Sequence, residues 1–251
     1  MRHDPVWLIS GRWLMCIVVL ACLAALPARA QSSTVEEMAA AVVTVTARIN
    51  PDGQTVKNLG QKREGAGVVI DASGLVLTIG YLIVEAQSAE VTLHNGRTVG
   101  AEIIGYDHET GFGLLKAQEA LRVRPMPIGS AADVKTGDRV VIVGAGGVDA
   151  LGSATVSATR EFAGNWEYLL DTAIFTTPPY PNWSGTALVN REGKLLGIGS
   201  LIVGDTTGKG DGIAGNMFVP IDGLRPLLGD LLATGRISSS AKPWLGITAD
   251  E

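Results

Sequence analysis

Cysteine is nearly absent from this 251-residue chain, and both cysteines, Cys16 and Cys22, fall within its first thirty residues. The rest of the chain has no thiol, which excludes disulfides, a cysteine nucleophile and thiolate metal ligation there. Histidine is almost as scarce, with only His3, His94 and His108. No cluster of histidine and carboxylate has metal-ligand spacing, so no metal and no other cofactor is expected. Basic runs are missing too. Residues 1–30 hold three basic residues and one acid, and the remaining 17 basic and 24 acidic side chains carry a net charge of −7. An acidic chain of this kind suits neither nucleic acid nor anionic lipid. A long apolar run occurs in one place, Leu14–Leu26.

That run follows a basic start (Arg2, His3 and Arg12) and precedes Ala28-Arg29-Ala30, the small-x-small pattern that signal peptidase cuts. It falls short of the roughly twenty residues a spanning helix needs. Residues 1–30 therefore read as a secretory signal cleaved after Ala30, with a periplasmic or secreted destination and no membrane span after cleavage. An uncleaved anchor is a second reading. A lipoprotein cut before Cys22 is a third, against which the apolar run continues through Leu23–Leu26 instead of turning polar. About 220 residues follow, room for one large β domain or two small packed ones.

Many short β-branched runs separated by turn residues fill that length. Strands are expected at Ala41–Ala47, Ala66–Asp71, Leu75–Thr78, Glu90–Leu93, Thr98–Gly105, Arg139–Gly144, Ala187–Asn190, Leu195–Leu201 and Asn216–Pro220. Asn95-Gly96 reads as a two-residue type I′ hairpin turn, and Ala72-Ser73-Gly74 and Arg191-Glu192-Gly193 close two more hairpins. Regular strand spacing with 32 glycines favours a barrel or sandwich over alternating α/β units. A short helix is expected near Val35–Ala41. A longer one is expected over Asp222–Ala233, with Asp222 as N-cap and Leu224, Leu227, Leu228, Leu231 and Leu232 on one face. Asn50–Arg63 is polar and turn-rich, an exposed loop, and Pro125–Lys135 reads as a linker between two halves.

The order of motifs along this chain resembles the HtrA (DegP-like) family of serine proteases. The motifs are Gly65-Ala-Gly-Val-Val-Ile-Asp71, Leu77-Thr78 with Val84-Glu85-Ala86, and Leu93-His-Asn-Gly-Arg97. Gly105-Tyr-Asp107, Leu114-Leu-Lys116, Gly137-Asp138, Ser184-Gly185, Ala187-Leu-Val-Asn190 and Gly193-Lys-Leu-Leu-Gly197 follow. Together they cover roughly residues 36–235. The resemblance implies an all-β, trypsin-like fold of two six-stranded antiparallel β-barrels, over residues 36–128 and 135–235, with an active site in the cleft between them. Pro243-Trp-Leu-Gly-Ile247 resembles the entry strand of a PDZ domain, so residues 242–251 are expected to be its truncated start.

Carried over residue by residue, the resemblance puts the nucleophile position at Ser184, in Asn182-Trp183-Ser184-Gly185-Thr186, where Trp183 and Thr186 depart from the family's Gly-Asn-Ser-Gly-Gly. The base position falls on Tyr81 and the orienting aspartate's on Gly111. The oxyanion hole falls on the main-chain N–H groups of Asn182 and Ser184. Chemistry makes the two substitutions matter. A serine hydroxyl is a weak nucleophile unless a neighbour with a pKa near the working pH takes its proton. A phenol, with an unperturbed pKa near 10, is neutral at pH 7, and glycine orients nothing. Loss of the base from such a triad costs on the order of 10⁶ in turnover.

Two histidines remain as substitutes. His94 precedes the Asn95-Gly96 turn and reads as a surface residue. His108, in Asp107-His108-Glu109-Thr110, lies in the loop that carries the vacant aspartate position and is the alternative base; it too reads as a surface residue by default. Ser184 itself, before Gly185, has the plainer reading of a small residue in a tight turn. Gly144-Ala-Gly146-Gly147 lacks the last glycine of a dinucleotide fingerprint, since Asp149 stands there and no helix pattern follows.

The expected function is that of an exported, proteolytically inactive trypsin-fold protein that binds extended or unfolded polypeptide as an added strand. Its role would be holdase, decoy or regulator in envelope protein quality control. The alternative is an active serine endopeptidase using Ser184 with a non-standard base, and a third reading is a structural role with the cleft collapsed around Trp183 and Tyr81. The resemblance also implies a homotrimer.

Overall fold

A computed structural model describes residues 34–164 and 169–234. The expected signal, with Cys16, Cys22 and His3, and the expected PDZ-like start at 242–251 lie outside the described residues.

Six strands form the N-terminal half: β1 (Val42–Ile49), β2 (Lys62–Val69), β3 (Leu75–Ile79), β4 (Ala86–Thr92), β5 (Thr98–Tyr106) and β6 (Phe112–Ala117). They close into a barrel in the order β1-β2-β3-β6-β5-β4. Six more form the C-terminal half: β7 (Arg139–Val143), β8 (Leu151–Ala163), β9 (Leu169–Thr177), β10 (Ala187–Val189), β11 (Leu195–Val203) and β12 (Gly215–Pro220). These close as β10-β11-β12-β9-β8-β7. The pairings within both barrels are antiparallel. Closure pairs the first strand of each sheet with its last, which removes the exposed edge strands of an open sheet.

Side chains alternate between barrel interior and solvent where one face is wet. In β5, Val99 and Ala101 are buried while Thr98, Gly100 and Glu102 face outward. The nine expected strands occur with ends moved by a few residues, and three others escaped notice. β6 is buried along most of its length and so shows no alternation. β8 and β9 carry many threonines, serines and alanines and are half exposed, which weakens their apolar signal.

The short helix α1 (Val35–Ala40) is fixed by a capping box, in which Thr34 accepts from the Glu37 N–H while the Glu37 carboxylate accepts from the Thr34 N–H. The linker crosses between barrels, with Met126 N–H donating to the Val69 carbonyl and Leu195 N–H donating to the Pro127 carbonyl.

Local expectations are corrected in three places. Residues 94–96 form a three-residue hairpin loop, because Leu93 N–H pairs with the Arg97 carbonyl and Gly96 N–H with the Leu93 carbonyl. Only Gly96 has positive φ there, at 84°, so the turn is not type I′, which needs it at both central residues. Asn50–Arg63 is not all exposed loop. It contains a helical turn, α2 (Val56–Leu59), and ends in β2, where Arg63 is only 4% exposed. Asp222 does not cap the last helix. It sits in a 3-10 turn (Ile221–Gly223) that precedes α3 (Leu224–Thr234), and its carboxylate instead accepts from Ser130 Oγ and Ala131 N–H, both at 2.6 Å. Leu224 is fully buried at the start of α3, whereas Leu232 is 48% exposed.

Candidate active site

Two turns meet between the barrels. The first leaves β3 as a 3-10 turn, Gly80–Leu82, and carries Tyr81. The second precedes β10 and carries Asn182, Trp183 and Ser184. The Tyr81 hydroxyl lies 2.5 Å from Ser184 Oγ and donates to the Ser200 carbonyl of β11 at 2.8 Å. A carbonyl only accepts. With the single phenolic proton spent on Ser200, the Ser184 hydroxyl is the donor in its contact with Tyr81.

The Ser184 turn is held from both sides. Ala66 N–H of β2 donates to the Ser184 carbonyl at 2.7 Å, and Gly185 N–H donates to the Gly199 carbonyl at 2.8 Å. Gly185 has φ 74°, and a Cβ there would fall on the Ala66 carbonyl, so glycine is required for both reasons. Thr186, a departure from the family pattern, is buried and its hydroxyl donates to the Trp183 carbonyl at 2.9 Å. Space for that pair exists because position 199 is glycine, where a Cβ would overlap both oxygens.

Gly111 stands beside the Tyr81 turn, since Gly80 N–H donates to the Gly111 carbonyl at 2.6 Å. Its φ is 78°, so the backbone as well as the missing side chain separates this position from an aspartate site. The neighbouring carboxylate, Asp107, is buried but turned to Thr110, accepting from its N–H and hydroxyl at 2.9 and 2.8 Å. His108 is exposed, with its ring edge-on to Tyr106 at 4.7 Å between centroids. His94 is exposed on the Leu93–Arg97 hairpin. Of the expected site residues, the fold thus joins Tyr81 and Ser184 by a hydrogen bond and sets the main chain of Gly111 one residue away.

Arg63 was not recognised as part of this region. Its guanidinium donates to the Tyr81 carbonyl at 2.6 Å, the Val84 carbonyl at 3.2 Å and the Thr55 hydroxyl at 2.5 Å. Burial pulls the guanidinium below its ordinary pKa, opposed by the nearby Glu85 carboxylate. Glu85 is held below the usual carboxylate range, first by the Thr55 hydroxyl, then by the Thr55 N–H. Arg63, Thr55 and Glu85 thereby pin the α2 segment against the Tyr81 turn. The sequence carries no signal for this role, because Lys62, Arg63 and Glu64 form a run of charged residues.

A cleft of about 330 Å³ opens beside Ser184, between Glu64, Gly65 and Ala66 on one barrel and Ala145 with Pro181–Ser184 on the other. Asn182 is exposed there, while Trp183 and Ser184 are half-buried. Among the described residues, no group of three or more His, Cys, Asp or Glu is arranged to hold a metal ion. Among them too, no helix is long and apolar enough to cross a membrane.

Comparison with known proteins agrees with this architecture. The family pattern described as the trypsin-like peptidase domain matches residues 65–198. Serine protease PepD of Mycobacterium tuberculosis is 29% identical over 232 residues, 83% of this chain and 48% of the relative. Serine endoprotease DegS of Haemophilus influenzae is 29% identical, over 82% of this chain and 58% of the relative. The periplasmic pH-dependent serine endoprotease DegQ of Escherichia coli is 33% identical over 61% of this chain and 35% of the relative. A solved structure of the HtrA-type protease AlgW with a tripeptide superimposes with a TM-score of 0.63 at 22% identity, covering 82% of this chain and 65% of the other. The chain belongs to the trypsin-like peptidase family and, within it, is similar to the HtrA-type proteases. It spans about half the length of the curated relatives it matches.

Proposed function

We propose that this is an exported HtrA-like protein that binds extended or unfolded polypeptide and is proteolytically silent at neutral pH. It would serve as a holdase, decoy or regulator of envelope protein quality control. The observation that carries this reading is the partner of Ser184. At 2.5 Å from its hydroxyl stands a phenol, a side chain type whose ordinary pKa near 10 makes it a poor proton acceptor at pH 7. Gly111 supplies no carboxylate. Peptide binding needs neither group, because a strand-like ligand is held mainly by main-chain hydrogen bonds. The open cleft beside Ser184 and the solved HtrA-type structures with a tripeptide and a decapeptide support it.

In this reading Ser184 keeps the nucleophile position, Tyr81 and Gly111 take the base and aspartate positions, and the N–H groups of Asn182 and Ser184 line the oxyanion hole. Residues 1–30 are a cleaved signal, and residues 242–251 begin a PDZ-like segment. Self-association as a trimer goes with the family resemblance. The test is binding of a permanently unfolded protein, such as reduced and alkylated lactalbumin, by the chain lacking residues 1–30 and by its Ser184→Ala variant. Both are expected to bind alike, and failure of both to bind would refute the reading.

A second reading, an active endopeptidase with a non-standard base, draws on the relatives being named proteases. It requires brisk labelling of Ser184 by a fluorophosphonate at pH 7.

A further inference from the structure

A hydroxyl whose proton already points at a second oxygen needs only ionisation of that oxygen to become a nucleophile. Ser184 is in this position. Its hydroxyl donates to Tyr81 Oη at 2.5 Å, on the reasoning that the phenolic proton is spent on the Ser200 carbonyl. In a trypsin-like site the base is a neutral imidazole that becomes cationic and is steadied by a carboxylate. A phenolate reverses that charge pattern, because it starts as an anion and ends neutral. A neighbouring carboxylate would oppose it, and at position 111 there is a glycine. Tyrosine at 81 and glycine at 111 are therefore chemically consistent with one another.

We infer that Tyr81, as the phenolate, is the general base for Ser184, giving the protein an acyl- and phosphonyl-transfer activity confined to alkaline pH. The substrate class is activated esters and fluorophosphonates small enough for the cleft beside Ser184. In the step, the Ser184 proton passes to Tyr81 Oη while Oγ forms a bond to the carbonyl carbon or phosphorus. The leaving group departs with its bonding electrons, as fluoride from a fluorophosphonate, and Tyr81 is left as a neutral phenol. No oxidant, metal or second substrate enters. The inference depends on the accessibility of Ser184, not on polypeptide binding.

The charged groups on the elements around the Tyr81 turn are Arg48 of β1, Lys62, Arg63 and Glu64 of β2, Glu85 after the turn, and Lys116 of β6 with Asp107, His108 and Glu109 before that strand; Lys62 pairs with Glu64 at 3.4 Å. Strand β11, which offers the Ser200 carbonyl, has none. Arg63 reaches Tyr81 at its main-chain carbonyl, Lys116 is directed to Ser73, and Asp107 is engaged by Thr110. The phenol end meets Ser184 and Ser200.

The experiment follows the rate at which a fluorophosphonate probe labels the protein from pH 7 to 10.5, in the native chain, Tyr81→Phe and Ser184→Ala. The native rate is expected to climb about tenfold per pH unit and, for a phenol of the ordinary pKa near 10, to stand ~750-fold above its pH 7 value at pH 10.5. Ser184→Ala should not label, and Tyr81→Phe should be at least ~10-fold slower than native at pH 9.5. Equal rates for native and Tyr81→Phe would overturn the inference. So would a native chain that stays unlabelled at every pH, an outcome that leaves polypeptide binding untouched. A protein carrying fluorotyrosine at its four tyrosine positions, with more acidic phenols and near-native shape, guards against misfolding of the phenylalanine variant. Its pH profile is expected to move to lower pH, and an unmoved profile would contradict the assignment.

Discussion

Ala66 and Ser184 are joined across the interface of the two barrels, the amide of the first donating to the carbonyl of the second at 2.7 Å. One strand of the N-terminal barrel thus sets the height of the Ser184 turn. The next residue, Gly185, passes directly beneath the Ala66 carbonyl. Substitution Gly185→Ala is expected to cost about 2–5 kcal/mol, combining a left-handed backbone with an unavoidable overlap. Chemical denaturation checks this, and a change below about 0.5 kcal/mol would show that the tie is dispensable.

Arg63 gives a second expectation. Replacing it by methionine removes donors from the carbonyls of Tyr81 and Val84 in a buried setting, at a cost of about 2–4 kcal/mol. Arg63→Lys, which keeps charge but not the planar fork, should recover only part of that loss. Urea unfolding midpoints of the three proteins provide the comparison.

The same cluster makes stability pH-dependent. Glu85 is held below its ordinary pKa by the Thr55 hydroxyl and amide, so the folded state favours the charged carboxylate. That contribution is present above the unfolded glutamate value, near 4.3, and is lost as pH falls from there through the folded value. Below about pH 4.5, hydrogen exchange in the 50–60 segment is expected to accelerate before the barrels open. Glu85→Gln should remove the early phase, and an identical acid response in both proteins would rule out this cluster as its origin.

Restoring the missing groups tests the roles given to positions 81 and 111. Tyr81→His alone supplies an imidazole without an orienting carboxylate, a defect worth about 10⁴ in turnover in a trypsin-like triad. Tyr81→His with Gly111→Asp should hydrolyse a peptide ester at pH 7.5 faster than the single variant, by about 10-fold or more. The left-handed φ of 78° at position 111 limits the gain, although aspartate tolerates that region better than most residues. Equal rates for the single and double variants would mean that Gly111 does not occupy the aspartate position.

Much of the fold was legible from period-two alternation and turn residues, because strands such as β5 keep one wet face. β6 was not, since burial along most of its length erases the alternation. The proximity of Tyr81 and Ser184 was legible only through family resemblance, as 103 residues separate them in sequence. The Ser200 carbonyl left no trace, because any residue type offers one. Arg63 was hidden by its polar surroundings, which make a buried cation look like part of a solvated loop.

Hydrolysis of an unfolded protein such as casein at pH 7, by the native chain and by Ser184→Ala, tests most directly whether Ser184 lacks a competent proton acceptor. The two are expected to be indistinguishable, both near the uncatalysed background. Turnover by the native chain at ordinary protease rates, about 1 s⁻¹ or faster, abolished by Ser184→Ala, would contradict the assignment.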